Sequence, residues 1–346
     1  MNIEKRSLNT LEPYSVAPRD EDPRAIYLDA NENPYPQTFT LTNATFNRYP
    51  ESQPTVLIER YAKFLGVQPE NILVSLGGDE AIKLIIEAYC NGDEDAILCS
   101  PPTFGMYAID AQVVGAKVLT APLTQDFQLD VPALLESMQD AKVVFICSPN
   151  NPTGNVMKLD EMETILRAAD HAIVVVDEAY IEFADQPSFA SRLAEFPNLA
   201  IIRTLSKAFG LAGIRCGFTV ANHEVIRTLK KVIAPYPMPS PVVAIAESAL
   251  TDAAIDQMKA NVARIQATKS HFIKALATLD CVNKVYRSDA NFVLIEVTAA
   301  DALMAHLKNE HIYVKRQSGA FSDLIRISIG TDEEMARVIT ALKNFV

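Results

Sequence analysis

The chain has 346 residues, 49 % hydrophobic and 21 % charged, enough to bury a large core in two domains or in one domain with a satellite. Acidic residues outnumber basic ones 43 to 31, for a formal net charge of -12, and no long basic run could follow a phosphate backbone, so nucleic acid is not an expected partner. The polar start Met1-Asn2-Ile3-Glu4-Lys5-Arg6 lacks the apolar run of a signal peptide or membrane span, which makes a cytoplasmic location, away from membranes, the expectation.

Residues 1–50 carry several prolines and weak periodicity and read as an N-terminal arm. From about Asn71 to Val220, short β-rich apolar runs alternate with stretches of helical period, the pattern of a parallel sheet covered by helices. The predicted strands are Ile72–Ser75, Ala96–Cys99, Lys117–Ala121, Val143–Cys147, Ala172–Val176, Ala200–Arg203 and Gly217–Val220, seven in one sheet. Between them Ile82, Ile85, Ile86 and Tyr89 share one helical face, as do Met162, Ile165, Leu166 and Ala169; both stripes are core packing.

The pattern changes after the proline-rich run Pro235 to Pro241. A long helical stretch leads to strand-like Asn291–Val297, a further helix, and strand-like Leu324–Ser328; Thr331 and Glu334 form a capping-box pair before a last helix carrying Met335, Val338 and Leu342. The expected fold class is α/β: a large domain, 51–240, with a mostly parallel seven-stranded sheet between helices, and a smaller α+β C-terminal domain, 241–346. The five cysteines, Cys90, Cys99, Cys147, Cys216 and Cys281, are odd in number and unpaired by spacing, so they read as reduced small side chains rather than disulfides or a metal site.

In open parallel sheets ligands bind beyond the carboxyl ends of the strands. Gly77-Gly78 opens a helix expected from about Asp79, whose free N–H groups can receive a phosphate, although such a turn is more often structural. No G-x-G-x-x-G, Walker lysine motif or H-E-x-x-H is present, which removes the usual support for nicotinamide, nucleotide-triphosphate and metalloprotease chemistry. Asp177 follows a continuous apolar strand and needs a partner there, either a loop N–H or helix cap, or a protonated heterocyclic nitrogen. Tyr180 offers a phenol from the same loop. Lys207 projects at the same edge, where partial desolvation lowers an amine's pKa and lets it condense with an aldehyde; Ser206 and Arg215 beside it suit a phosphate. A ring carboxylate, a phenol, a carboxamide, a Schiff-base lysine and a phosphate cradle together describe what pyridoxal phosphate needs.

These segments resemble the fold-type I pyridoxal-phosphate aminotransferases. The match runs through Ser148-Pro149-Asn150-Asn151-Pro152-Thr153-Gly154, Asp177-Glu178-Ala179-Tyr180 and the stretch from Ser206-Lys207 to Arg215, in the family's order and spacing. The accessory segments Asn31-Glu32-Asn33-Pro34, Arg48-Tyr49-Pro50, Pro101 to Tyr107 and Leu324 to Thr331 look most like the branch of that family acting on histidinol phosphate, and the likeness extends from about Leu11 to the C-terminus.

The resemblance implies that Lys207 holds the cofactor as a Schiff base, Asp177 pairs with the pyridine nitrogen, and Asn151 and Tyr180 bond the ring oxygen. Tyr107 would stack on the ring; Ser206, Arg215 and the N–H groups of Gly78 and Asp79 would hold the phosphate, joined by Tyr49 from the other subunit of a homodimer with shared active sites. Arg326 would grip the acidic end of the substrate, assisted by Arg316, with Tyr14 on the imidazole side and Asn31 also in the substrate pocket. Two departures stand out: Lys315-Arg316-Gln317 replaces the usual Arg-Asn before a shortened loop to Arg326, and Phe104 stands where tyrosine is frequent. The implied reaction is transamination between L-histidinol phosphate and 2-oxoglutarate. Its rivals are an aromatic amino-acid aminotransferase, a decarboxylase of an amino-acid phosphate, and a non-catalytic ligand-sensing relative, against which the intact Lys207 argues.

Overall fold

The structure is a computed structural model that describes residues 5–12, 19–39 and 46–345. Among the described residues twelve strands form two sheets. In chain order they are β1 (Ile26–Leu28), β2 (Ile72–Ser75), β3 (Ala96–Cys99), β4 (Lys117–Thr120), β5 (Val143–Cys147), β6 (Ile173–Asp177), β7 (Leu199–Thr204), β8 (Gly217–Ala221), β9 (Val282–Val285), β10 (Phe292–Val297), β11 (Ile312–Arg316) and β12 (Leu324–Ser328). The ten α-helices among the described residues are α1 (Thr55–Leu65), α2 (Gly77–Tyr89), α3 (Met106–Val114), α4 (Val131–Ser137), α5 (Leu159–Ala168), α6 (His223–Leu229), α7 (Ser240–Ala249), α8 (Asp252–Leu276), α9 (Ala300–Asn309) and α10 (Asp332–Lys343).

The seven expected strands form one sheet in the order β2-β8-β7-β6-β5-β3-β4, parallel except for β8. Helices cover both faces, so the central strands are buried almost throughout and read as apolar runs that turn polar only at the carboxyl ends of β6 and β7. Alternate residues still go to opposite sides: Val143, Phe145 and Cys147 pack in the layer that also holds Ile82, Ile85 and Tyr107, while Val144 and Ile146 join the larger core with Met162 and Ile165. Edge strand β4 keeps Lys117 and Thr120 exposed. Strand limits differ from expectation by one residue at most, and α2 begins at Gly77 rather than near Asp79.

The second sheet, β1-β11-β12-β10-β9, is mixed. Its first strand comes from the N-terminal arm, which pairs parallel to β11 through Ile26↔Ile312 and Leu28↔Val314. The capping box forms as expected: Thr331 Oγ1 accepts from Glu334 N–H and Glu334 accepts from Thr331 N–H, and Met335, Val338 and Leu342 are buried beneath it. The five cysteines are free and four of them are buried. Among the described residues no helix is long and apolar enough to cross a membrane.

Beneath the carboxyl edge of the large sheet lies a buried ion cluster. Arg203 on β7 reaches Glu178 at 3.0 Å and Glu182 at 2.6 Å, and Glu178 also accepts from Ser188 Oγ and Phe189 N–H. Removing the cation would leave two carboxylates without a counter-charge, whereas an uncharged trio would not. Arg203→Met is therefore expected to cost about 3 to 5 kcal/mol in urea unfolding. Adding Glu178→Gln and Glu182→Leu should recover most of that loss. A loss below about 1 kcal/mol for the single variant would show that this cluster does not fix the Asp177–Phe183 loop.

Candidate active site

The strand ends position the chemistry. Asp177 is the last residue of β6, its carboxyl on the side of α2 and α3, while Glu178 turns to the other side and binds Arg203. Asp177 is 4 % exposed; Oδ2 accepts from Tyr107 Oη at 2.6 Å and Oδ1 from Ala179 N–H at 3.1 Å. Burial pushes its pKa up to about 6 against these two hydrogen bonds. Among the described residues no cationic side chain forms an ion pair with it. Of the two partners expected for Asp177, the loop N–H is present, and a buried carboxylate that still lacks a cation is what a protonated ring nitrogen would complete.

One strand away, Lys207 follows β7 and is half-buried. Its Nζ donates to Ala30 O at 2.9 Å and lies 5.7 Å from the Tyr180 ring centroid. Burial first, then the charge of Arg326, lowers its pKa to about 8. Tyr180 is buried, accepts from Asn31 Nδ2 at 3.1 Å, and is held protonated well above the ordinary tyrosine range by burial.

The start of α2 carries no side-chain cap, so its first N–H groups, Gly78 and Asp79 among them, are available to an anion. Arg215, in the left-handed region at φ 53°, lays its guanidinium across this helix start: Nη2 is 2.9 Å from Asp79 Oδ2, and Nη1 is 3.5 Å from Ser206 Oγ. Gly77 has φ 83°, a conformation that favours glycine, and a Cβ there would stand 2.6 Å from Arg215 Nη2 and displace the guanidinium from the cradle. A hydroxyl, a guanidinium and an open helix start around that glycine suit a phosphate monoester.

Opposite stands the small sheet. Arg326 on β12 donates to Asn151 Oδ1 at 2.6 Å and to Asp29 O at 2.5 Å, which joins the two sheets across the cleft. The adjacent asparagines divide their work: Asn150 bonds Pro102 O, Thr103 and Thr153 within its own layer, and Asn151 faces Arg326.

Three expectations change. Arg316 does not share the cleft with Arg326, because Lys315 is the residue opposite Arg326 in the β11–β12 register, and strand alternation turns Arg316 to the other face. There it pairs with Asp301 and donates to Ser322 O. Lys315 therefore shares Arg326's face, which the sequence does not mark because the charges that end β11 obscure its two-residue period. Tyr107 is wholly buried, stacked on Phe145 with ring centroids 4.5 Å apart and its hydroxyl given to Asp177, so it has no open face for a cofactor ring. Half-buried Phe104, edge-on to Tyr107 at 5.7 Å, is the neighbouring aromatic without that enclosure.

The third concerns Asn31, which is buried, with φ 54°. Its side chain bonds Tyr180 and Ser328, and its carbonyl accepts from Asn291, which makes it a support for Tyr180 rather than a wall of the substrate pocket. Tyr49 lies 80 % exposed, its ring stacked on Tyr236 with centroids 4.5 Å apart. Tyr14 lies outside the described residues.

The donor set fits pyridoxal phosphate: an amine of lowered pKa, a buried carboxylate without a cation, a phenol and a cradle that a Cβ would fill. Comparison with known proteins agrees. The model of the family described as aminotransferase class I and II matches residues 17–342. The histidinol-phosphate aminotransferase of Cronobacter sakazakii is 46 % identical over 99 % of this chain and 97 % of its own length. Histidinol-phosphate aminotransferase 1 of Pasteurella multocida is 46 % identical over 99 % of this chain and 98 % of its own. The crystal structure of histidinol-phosphate aminotransferase from Sinorhizobium meliloti in complex with pyridoxal-5'-phosphate superposes with a TM-score of 0.82, covering 93 % of this chain and 90 % of that one at 24 % identity, which shows the fold.

Proposed function

Because the chain belongs to the aminotransferase class I and II family, we infer that its cleft takes pyridoxal phosphate and transfers the amino group of L-histidinol phosphate to 2-oxoglutarate, giving imidazole-acetol phosphate and glutamate in histidine biosynthesis. The observation that carries the reading is the convergence of Lys207, Asp177 and Arg326 on one cleft at the carboxyl edge of the large sheet. When bound, the cofactor supplies an electrophilic aldehyde and an electron-withdrawing ring.

The chain's own residues do the rest. Ser206, Arg215 and the N–H groups of Gly78 and Asp79 anchor the cofactor phosphate; Arg215 is already turned to this point and must release Asp79 to serve it. Asp177 keeps the ring nitrogen protonated by favouring its charged form. Asn151 and Tyr180 hold the ring oxygen, and Phe104 replaces Tyr107 as the aromatic that covers the ring. Lys207 Nζ, with a pKa of about 8, moves a proton from the amine-bearing carbon of the substrate. A homodimer with shared sites is supported by the exposed aromatics Phe46, Tyr49 and Tyr236, of which Tyr49 and Tyr236 stack on each other at the surface.

Arg326 faces the end of the cleft where the substrate phosphate would bind, and a guanidinium suits a dianion. Arg326→Ala is expected to lower kcat/KM for histidinol phosphate at least about tenfold, while leaving unphosphorylated histidinol within about threefold of its parent value. Equal losses for both substrates would place the arginine's role in holding the two sheets together.

A further inference from the structure

We infer that Tyr107 is a positioning residue of the reaction, acting through Asp177 by fixing the orientation of its carboxylate and holding it ionised. The inference rests on the proposed reading of the cleft as a pyridoxal-phosphate site. Tyr107 lies in the first turn of α3, an element separate from the Asp177 loop, and its hydroxyl is 2.6 Å from Oδ2. The ring has no freedom to swing: it is fully buried, one face stacked on Phe145 at 4.5 Å and 10°, with Phe104 edge-on at 87°. Placed so, it acts on the cleft only through its hydroxyl, which meets the Asp177 carboxylate and, beside it, the Cys147 thiol.

The direction of that bond is fixed as well. Burial and the neighbouring Asp177 charge raise the phenol's pKa well above its ordinary value, so the proton stays on Tyr107 and the phenol donates to the carboxylate. The other titratable groups facing Asp177 do not stabilise its charge. Cys147, beside it on β5, is kept as a neutral thiol by burial, and Asp79 at the start of α2 and Glu178 on its own loop both raise its pKa. Tyr180, also on that loop, stays protonated and hydrogen-bonds Asn31 instead. Two donors oppose desolvation, Tyr107 Oη first and Ala179 N–H second. Without the phenol the carboxyl would take up a proton near neutrality, and a neutral carboxyl cannot keep a ring nitrogen charged.

Tyr107→Phe removes one oxygen from a packed ring and tests the inference with two readouts. In the full-length cofactor-free protein labelled with ¹³C at aspartate carboxyls, with the Asp177 signal assigned by its loss in Asp177→Asn, the titration midpoint of Asp177 should rise by about one pH unit or more. In the holoenzyme kcat for histidinol phosphate should fall about tenfold or more, with KM within about threefold, and the acid limb of the kcat–pH profile should move to higher pH. In an Asp177→Asn background the same change should cost nothing further, because the group it acts through is gone. Phe145→Leu, which loosens the packing and leaves the hydroxyl, should not move the titration. An unmoved Asp177 midpoint, or an equal kcat loss in the Asp177→Asn background, overturns the inference. The titration needs no cofactor, so it decides the matter even if Lys207 proves not to carry one.

Discussion

Lys207→Ala should lower kcat for transamination by about 10⁴-fold or more, since one substitution removes both the amine that captures the cofactor and the group that moves the substrate proton. A low pKa alone does not single out this lysine. Lys269 on α8 is also lowered to about 8 by burial, yet its Nζ is spent on Ser288 O and Ala290 O, under the loop whose Asp289 bonds Val156 N–H. Lys207 instead lies over the Tyr180 ring, one strand from Asp177. Borohydride reduction of the loaded parent should therefore fix the cofactor on Lys207 and leave Lys269 unmodified. Capture of added cofactor should speed up as pH rises towards about 8, where half the amine is neutral, and level off above it. An adduct on any other lysine would overturn the assignment.

The second large effect is expected at Asp177. Asp177→Asn keeps the shape of the side chain and both neighbouring groups but cannot carry the charge that holds a ring nitrogen protonated, so kcat should fall about 10²-fold or more. Stability of the cofactor-free protein should move the other way. The folded pKa of about 6 lies above the ordinary value of 3.8, so the folded state holds the proton more tightly than the unfolded state. Stability is then lost as pH rises from about 4 to about 6, and the loss persists above that window. At pH 8 the cofactor-free Asp177→Asn protein should be at least as resistant to urea as its parent, and the difference should vanish at pH 4. Activity within a few-fold of the parent would remove Asp177 from the mechanism, and a clear loss of stability at pH 8 would show that its charge is already paired.

How far the sequence reveals this depends on how strongly one residue type dictates one environment. The large sheet is legible because strands such as Val143-Val144-Phe145-Ile146-Cys147 are buried on both sides, and little else produces such a run between turn residues. Half-buried strands leave a fainter trace. β9 shows two exposed residues between two half-buried ones, and β11 ends in Lys315-Arg316, so charge obscures its period; β1 has three residues and exists because β11 offers it an edge. Lys207, Asp177, Asn151 and Arg215 are marked by motifs in loops that follow buried strands. Orientation is not marked: Lys315 and Arg316 differ by one position in sequence and by a whole face of the sheet, and only the register with Arg326 separates them. Tyr107 and Phe104 differ in the same way, three residues apart with one enclosed and one half-exposed.

The most direct test of the account is kcat/KM, measured side by side for L-histidinol phosphate, histidine and phenylalanine with 2-oxoglutarate as acceptor. A cleft that sets Arg326 against the substrate phosphate predicts histidinol phosphate as the best of the three by at least about tenfold, with glutamate formed in step with its consumption. Phenylalanine turning over faster than histidinol phosphate would leave an aminotransferase but contradict the substrate, and loss of carbon dioxide without consumption of 2-oxoglutarate would contradict the reaction itself.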